Sequence, residues 1–128
     1  MNNLTIPKLL KHKPCGKWDK YVKNVSSDWE GSILDILNMD FVTDTDKVWV
    51  ATRPGIIEDS LIKLFLGFCV EQAHTNVKYP SDFYINECLR QVDYHRASLN
   101  MAWYVALNVS DHLKIRKDQV AKLKELIG

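Results

Sequence analysis

Four histidines and three cysteines are the side chains with which this chain could do metal or nucleophilic chemistry. The histidines stand at positions 12, 74, 95 and 112, and none forms HxH, HxxH or HExxH. Zinc needs three or four ligands converging from short, fixed spacings. His74 follows Cys69 by more than one helical turn, and no histidine pairs with a cysteine at zinc spacing. No metal is expected. A catalytic thiol needs a lowered pKa, partial exposure and a neighbouring base. Cys69 lies in a strongly apolar run and Cys88 in a helical pattern, so both read as small buried hydrophobes. The grouping through which an enzyme site could still assemble across helices is Cys88 with Tyr94 and His95. The acid pairs Glu58-Asp59 and Asp44/Asp46 stand where helices should start, and there capping explains them. Gly31, Gly55 and Gly67 are isolated, so no phosphate-cradling loop is present and no cofactor is expected. The chain reads as a non-enzyme.

Recognition is the remaining kind of chemistry, and charge placement points to it. The chain carries 17 basic and 16 acidic side chains, so its net charge argues for no class of partner. The distribution is uneven. Residues 1–25 hold Lys8, Lys11, Lys13, Lys17, Lys20 and Lys23 against Asp19. Residues 26–46 hold Asp28, Glu30, Asp35, Asp40, Asp44 and Asp46 and no base. Such an acidic stretch suits a basic protein partner, with Trp29 or Phe41 as an apolar anchor. A second basic group, Lys114, Arg116, Lys117, Lys122 and Lys124, lies near the C-terminus and offers phosphate contacts as the alternative. Asp93-Tyr94-His95-Arg96 is a further polar group of hot-spot residue types, equally suited to a helix corner.

The elements that must position these residues are helical. Trp18, Tyr21, Val22 and Val25 repeat as one helix face. Ser27-Asp28-Trp29-Glu30 has the form of a capping box ahead of Ile33, Leu34, Ile36 and Leu37, which predicts a helix over 28–38. Residues 47–53 are β-branched enough for a short strand, yet a lone strand has nothing to pair with. From Ile56 to His74 the chain is apolar nearly all round, which predicts a buried central helix. Further helices are expected over 82–93, 95–109 and 111–127. The fold class is therefore all-α: one domain of five to seven helices over 16–128, preceded by an extended arm over 1–15. Its expected core is Trp18, Ile33, Leu37, Trp49, Leu61, Phe65, Phe68, Cys69, Leu89, Trp103 and Leu123. No run of ~18 apolar residues occurs, so no membrane span is expected. Pro7 and Lys8 break the apolar stretch at the start, which does not read as a signal peptide. Three cysteines without CxxC suit a reducing cytoplasm.

Three stretches carry a resemblance. Cys15-Gly16-Lys17-Trp18-Asp19-Lys20-Tyr21 precedes a short helix. Asp46-Lys47-Val48-Trp49-Val50 leads to a helix holding Leu64, Phe65, Cys69 and Glu71-Gln72-Ala73. Ala97 to Ala106, with Trp103 and Tyr104, is followed by Gln119 to Ile127. In this order they resemble a loose family of small helical bacterial and phage proteins labelled as immunity proteins. The resemblance implies a helical, non-enzymatic protein of mobile elements and carries over no site residues. The function expected is a small protein-binding factor of the inhibitor, immunity or anti-defence kind.

Overall fold

The computed structural model describes residues 3–12 and 18–128. Cys15 and Gly16 lie outside them. Eight helices are found among the described residues: α1 (Ile6–Leu10), α2 (Trp18–Lys23), α3 (Ile33–Leu37), α4 (Asp44–Ala51), α5 (Asp59–Asn76), α6 (Asp82–Leu89), α7 (Tyr94–Leu107) and α8 (His112–Ile127). Two short strands, β1 (Leu4–Thr5) and β2 (Glu30–Gly31), pair antiparallel with Leu4 opposite Gly31.

The long helix α5 organises the larger part of the chain, packing on α7 and α8 while α4 leans on both of those. It buries Ile62, Phe65, Leu66, Cys69, Gln72 and Ala73, a stripe of period 3.6. It is not enclosed all round as its composition suggested. Leu64 is 57% exposed, because α7 and α8 cover only one side. Helix starts are fixed by side chains. Thr43 accepts from the Asp46 N–H at 3.2 Å, Asp93 from the His95 and Arg96 N–H groups at 3.1 Å, and Asp111 from that of Lys114 at 3.1 Å.

The structure corrects several expectations in the N-terminal third. Residues 4–10 are not an extended arm. Leu4 enters the ribbon, Thr5 caps α1, and Pro7 falls in the first turn, where no N–H is missed. The capping box is not Ser27–Glu30 but Ser32–Asp35, with the Asp35 N–H 3.2 Å from the Ser32 hydroxyl and the Ser32 N–H 2.8 Å from the Asp35 carboxylate. Both pairs fit S-x-x-[DE], but only the second directly precedes Ile33, Ile36 and Leu37, which need burial. Glu30-Gly31 is thereby freed to pair with β1. Segment 47–53 is no strand: Asp44 to Ala51 is helical, and the Thr52 hydroxyl closes its end on the Val48 and Trp49 carbonyls at 2.9 and 3.0 Å.

Trp18, Ile33, Leu37, Phe65, Cys69 and Leu123 are core residues as expected. Leu89 and Trp103 are not, at 47% and 38% exposed, and Trp49, Leu61 and Phe68 are half-buried. Leu89 ends α6, beyond the inward Ile85 and Cys88. Trp103 lies under the Arg116 guanidinium, 4.6 Å from its centroid, so a cation covers the ring where core packing was expected.

A polar junction sits inside this core. The Gln119 amide donates to Gln72 Oε1 at 3.1 Å and to the Ala102 carbonyl at 3.2 Å, while its oxygen accepts from Arg116 Nη1 at 3.0 Å. Gln72 in turn donates to the Ile115 carbonyl at 3.4 Å. Among the described residues no buried side-chain nitrogen or oxygen lacks a partner. Gln119→Leu keeps the volume but strands Gln72 Oε1 and the Arg116 guanidinium. It is expected to cost about 2–4 kcal/mol, since each orphaned buried polar group costs about 1–3 kcal/mol. Urea unfolding checks this, and a loss under about 1 kcal/mol would show the junction to be dispensable.

Candidate functional site

The residues named as apolar anchors, Trp29 and Phe41, line the same pocket. Its floor comes from α2, a two-turn helix with Trp18 facing inward. Trp18 meets Tyr21 edge-on at 5.0 Å and Trp49 at 5.9 Å, and Tyr21 lies 6.3 Å from Phe41. Ile36 and Met39 close the side formed by α3 and the turn after it. Trp29 is held from the other side by Gly31, where a Cβ would meet Trp29 Cζ2 and Asp35 Oδ2 at 2.7 Å. Glycine is required there by that close approach. The pocket holds about 30 Å³ of free space. That is roughly the share of one water molecule in the liquid and far below the ~300 Å³ of a metabolite site. That space suits an apolar side-chain tip.

The five aspartates divide by task. The Tyr21 hydroxyl donates to Asp46 Oδ2 at 2.6 Å, tying α2 to the start of α4. Burial first, then this bond to a carboxylate, raises the Tyr21 pKa above its ordinary value. Asp35 belongs to the capping box. Asp28 accepts from the Ser26 hydroxyl, which lowers its pKa. Asp40 and Asp44 act electrostatically on Lys47, a buried lysine whose pKa burial lowers while these carboxylates oppose the shift. Asp28, Asp35 and Asp40 are exposed, and Asp44 and Asp46 half-buried. The corner therefore presents negative charge while three of its acids also hold the local fold.

Of the basic C-terminal residues, Arg116 is turned inward and Lys114 and Lys122 stand beside acids. Arg116 is 3% exposed and belongs to the polar junction, where burial lowers its pKa. Lys114 lies 3.9 Å from Asp118, and Lys122 3.3 Å from Glu125. Lys122 lines a groove between α5 and α8, Lys124 acts on Lys47, and Lys117 is exposed. At 3.6 residues per turn Lys114, Lys117 and Lys124 share one face of α8, with Lys122 toward the groove side, so it is the inward turn of Arg116 and the Lys114–Asp118 and Lys122–Glu125 pairs that dilute the charge.

Cys88, Tyr94 and His95 are likewise separated in their bonding. The Cys88 thiol pairs with Tyr84. His95 is buried, with Nε2 3.1 Å from the Ile57 carbonyl and Nδ1 3.7 Å from Asp59. The Tyr94 ring lies under Lys63 at 4.5 Å. Asp93 caps α7, so this polar group is in large part a helix corner. Among the described residues no three His, Cys, Asp or Glu side chains cluster as metal ligands. Sequence reasoning missed Tyr21 and Met39 as pocket walls. The available signal was a helix of six residues with more apolar surface than two turns can bury.

Neither a family model, nor a curated protein, nor a solved structure matches the chain.

Burial raises the thiol pKa of Cys69 strongly and that of Cys88 as well. At neutral pH the thiolate is the reactive form, and a raised pKa depletes it. Alkylation of Cys69 and Cys88, read by peptide mass spectrometry, should therefore be far slower in the folded protein than in urea. Either thiol reacting faster than a free cysteine would instead mark a nucleophile.

Proposed function

We propose that the protein is a non-catalytic factor that binds another protein through the acidic corner around Trp29 and Phe41. The observation that carries this reading is the aromatic-walled pocket, sized for one side-chain tip, among Asp28, Asp35, Asp40, Asp44 and Asp46. The partner is a protein with a basic surface and a protruding apolar side chain. Long-range attraction speeds the encounter, and insertion of that side chain sets the lifetime of the complex. The resemblance to small bacterial and phage immunity proteins supports an inhibitor, immunity or anti-defence role. The free, buried thiols of Cys69 and Cys88 suit a reducing cytoplasm, where we place it. No helix among the described residues is long and apolar enough to cross a membrane.

The test is affinity capture from nuclease-treated bacterial lysate, followed by kinetics on the captured protein. Asp40→Lys with Asp44→Lys should slow association about tenfold and flatten its salt dependence while leaving dissociation nearly unchanged. Phe41→Ala should do the reverse, speeding dissociation by about thirtyfold, as loss of a hot spot of about 2 kcal/mol requires. A partner indifferent to both changes, or one lost on nuclease treatment, would overturn the reading.

A further inference from the structure

A second basic surface lies away from α8. Two clefts adjoin at Pro54, which lines both. One, of about 240 Å³, is bordered by Lys8, Lys11 and His12 from α1 and the turn after it. The other, of about 260 Å³, is bordered by Arg53 from the end of α4 and by Arg96 and Asn100 from α7. Burial and then the Arg53 charge lower the His12 pKa, so its imidazole is neutral at pH 7. Four cations, Lys8, Lys11, Arg53 and Arg96, from three separate elements thus form one strip.

Its negative charges are few. Asp93 lines the second cleft, where its carboxylate caps α7 on the His95 and Arg96 N–H groups and acts electrostatically on Arg53. Glu30 accepts from the Asn3 amide at 3.0 Å at the far edge of the first cleft. Asp59 lies behind, 3.7 Å from His95 Nδ1. Among the described residues no carboxylate comes within 4.0 Å of the Lys8, Lys11, Arg53 or Arg96 cations. Arg53 is braced by its Nε bond to the Trp49 carbonyl at 2.9 Å and by the Trp49 ring at 4.8 Å. A held guanidinium loses little freedom on meeting an anion.

We propose that this strip is a binding track for the phosphate backbone of single-stranded nucleic acid. A compact anion would use one cleft. Cations strung across two adjoining clefts match charges that repeat along a chain. The strip offers no open aromatic platform for bases, since Trp49 is covered by Arg53, so binding is independent of sequence. This track is distinct from the acidic corner, and the two stand or fall separately.

The test is fluorescence anisotropy with a labelled oligodeoxythymidylate across a salt series. The wild-type protein should bind, with an affinity that falls steeply as salt rises, by a log–log slope of about −0.7 for each phosphate engaged. Lys11→Glu with Arg96→Glu changes two exposed residues whose side chains make no hydrogen bond among the described residues. It should weaken binding at least about tenfold and reduce the slope. Its circular dichroism and melting should match wild type. Lys114→Glu with Lys117→Glu on α8 should leave binding unchanged. The proposal is overturned by absence of binding at low salt, by equal losses from the α8 variant, or by a K11E/R96E protein that folds and binds as wild type. Two competitors complete it. Binding of pyrophosphate or of phosphatidylserine vesicles without binding of the oligonucleotide would mark a different anion site and equally overturn the track.

Discussion

A single side-chain amide, that of Gln119, joins the three longest helices, and the rest of the arrangement depends on how it is satisfied. Its two N–H groups reach Gln72 on α5 and the Ala102 carbonyl on α7, and its oxygen takes the Arg116 guanidinium from its own helix. Apolar contacts between helices are nondirectional and tolerate sliding. A buried amide with fixed partners does not, because a shift of one residue along α8 would leave donors and acceptors unmet. The junction thus selects one register for α8, and α4, which packs on α8 and α7, inherits that choice. It also takes one cation out of the basic C-terminal stretch: Arg116 is turned inward to complete the amide.

The helices from α5 to α8 were legible because each is long enough for its period to show. Ile62, Phe65, Leu66 and Cys69 mark one face of α5, and Ser81, Asp93 and Asp111 mark the starts that follow. The expected ends overran α6 and α7, where apolar residues continue past the last turn, as Val92 does at 90% exposure. In the N-terminal third the elements are two to eight residues long, too short for periodicity to separate alternatives. The choice between two capping boxes turned on a ribbon of two residues that pairs positions 27 apart, and nothing local announces it. At residues 47–53 local propensity pointed to a strand, while the lack of a pairing neighbour favoured the helix that is found.

The same contrast of local and distant information governs the surfaces. The acidic corner could be read because its aspartates are neighbours in sequence, whereas the division of those acids between caps, a tyrosine hydroxyl and Lys47 could not. The basic strip was invisible because residues 8, 11, 53 and 96 meet only through the fold. Trp29 and Phe41 looked like exposed anchors and are walls of a pocket, so their apolar surface is displayed and shielded at once.

Helix α4 carries acids at one end and a base at the other. Asp44 and Asp46 stand in its first turn and Arg53 just past its last, the polarity that complements a helix dipole. Each charge therefore stabilises the helix that separates them. Eight residues at 1.5 Å each span about 12 Å. That exceeds the Debye length of about 8 Å at physiological salt, so most of the field of one end is screened before it reaches the other. The two surfaces also adjoin across α1, which gives Ile6 and Leu9 to the pocket and Lys8 to the strip, so a ligand at either meets charge from the other there.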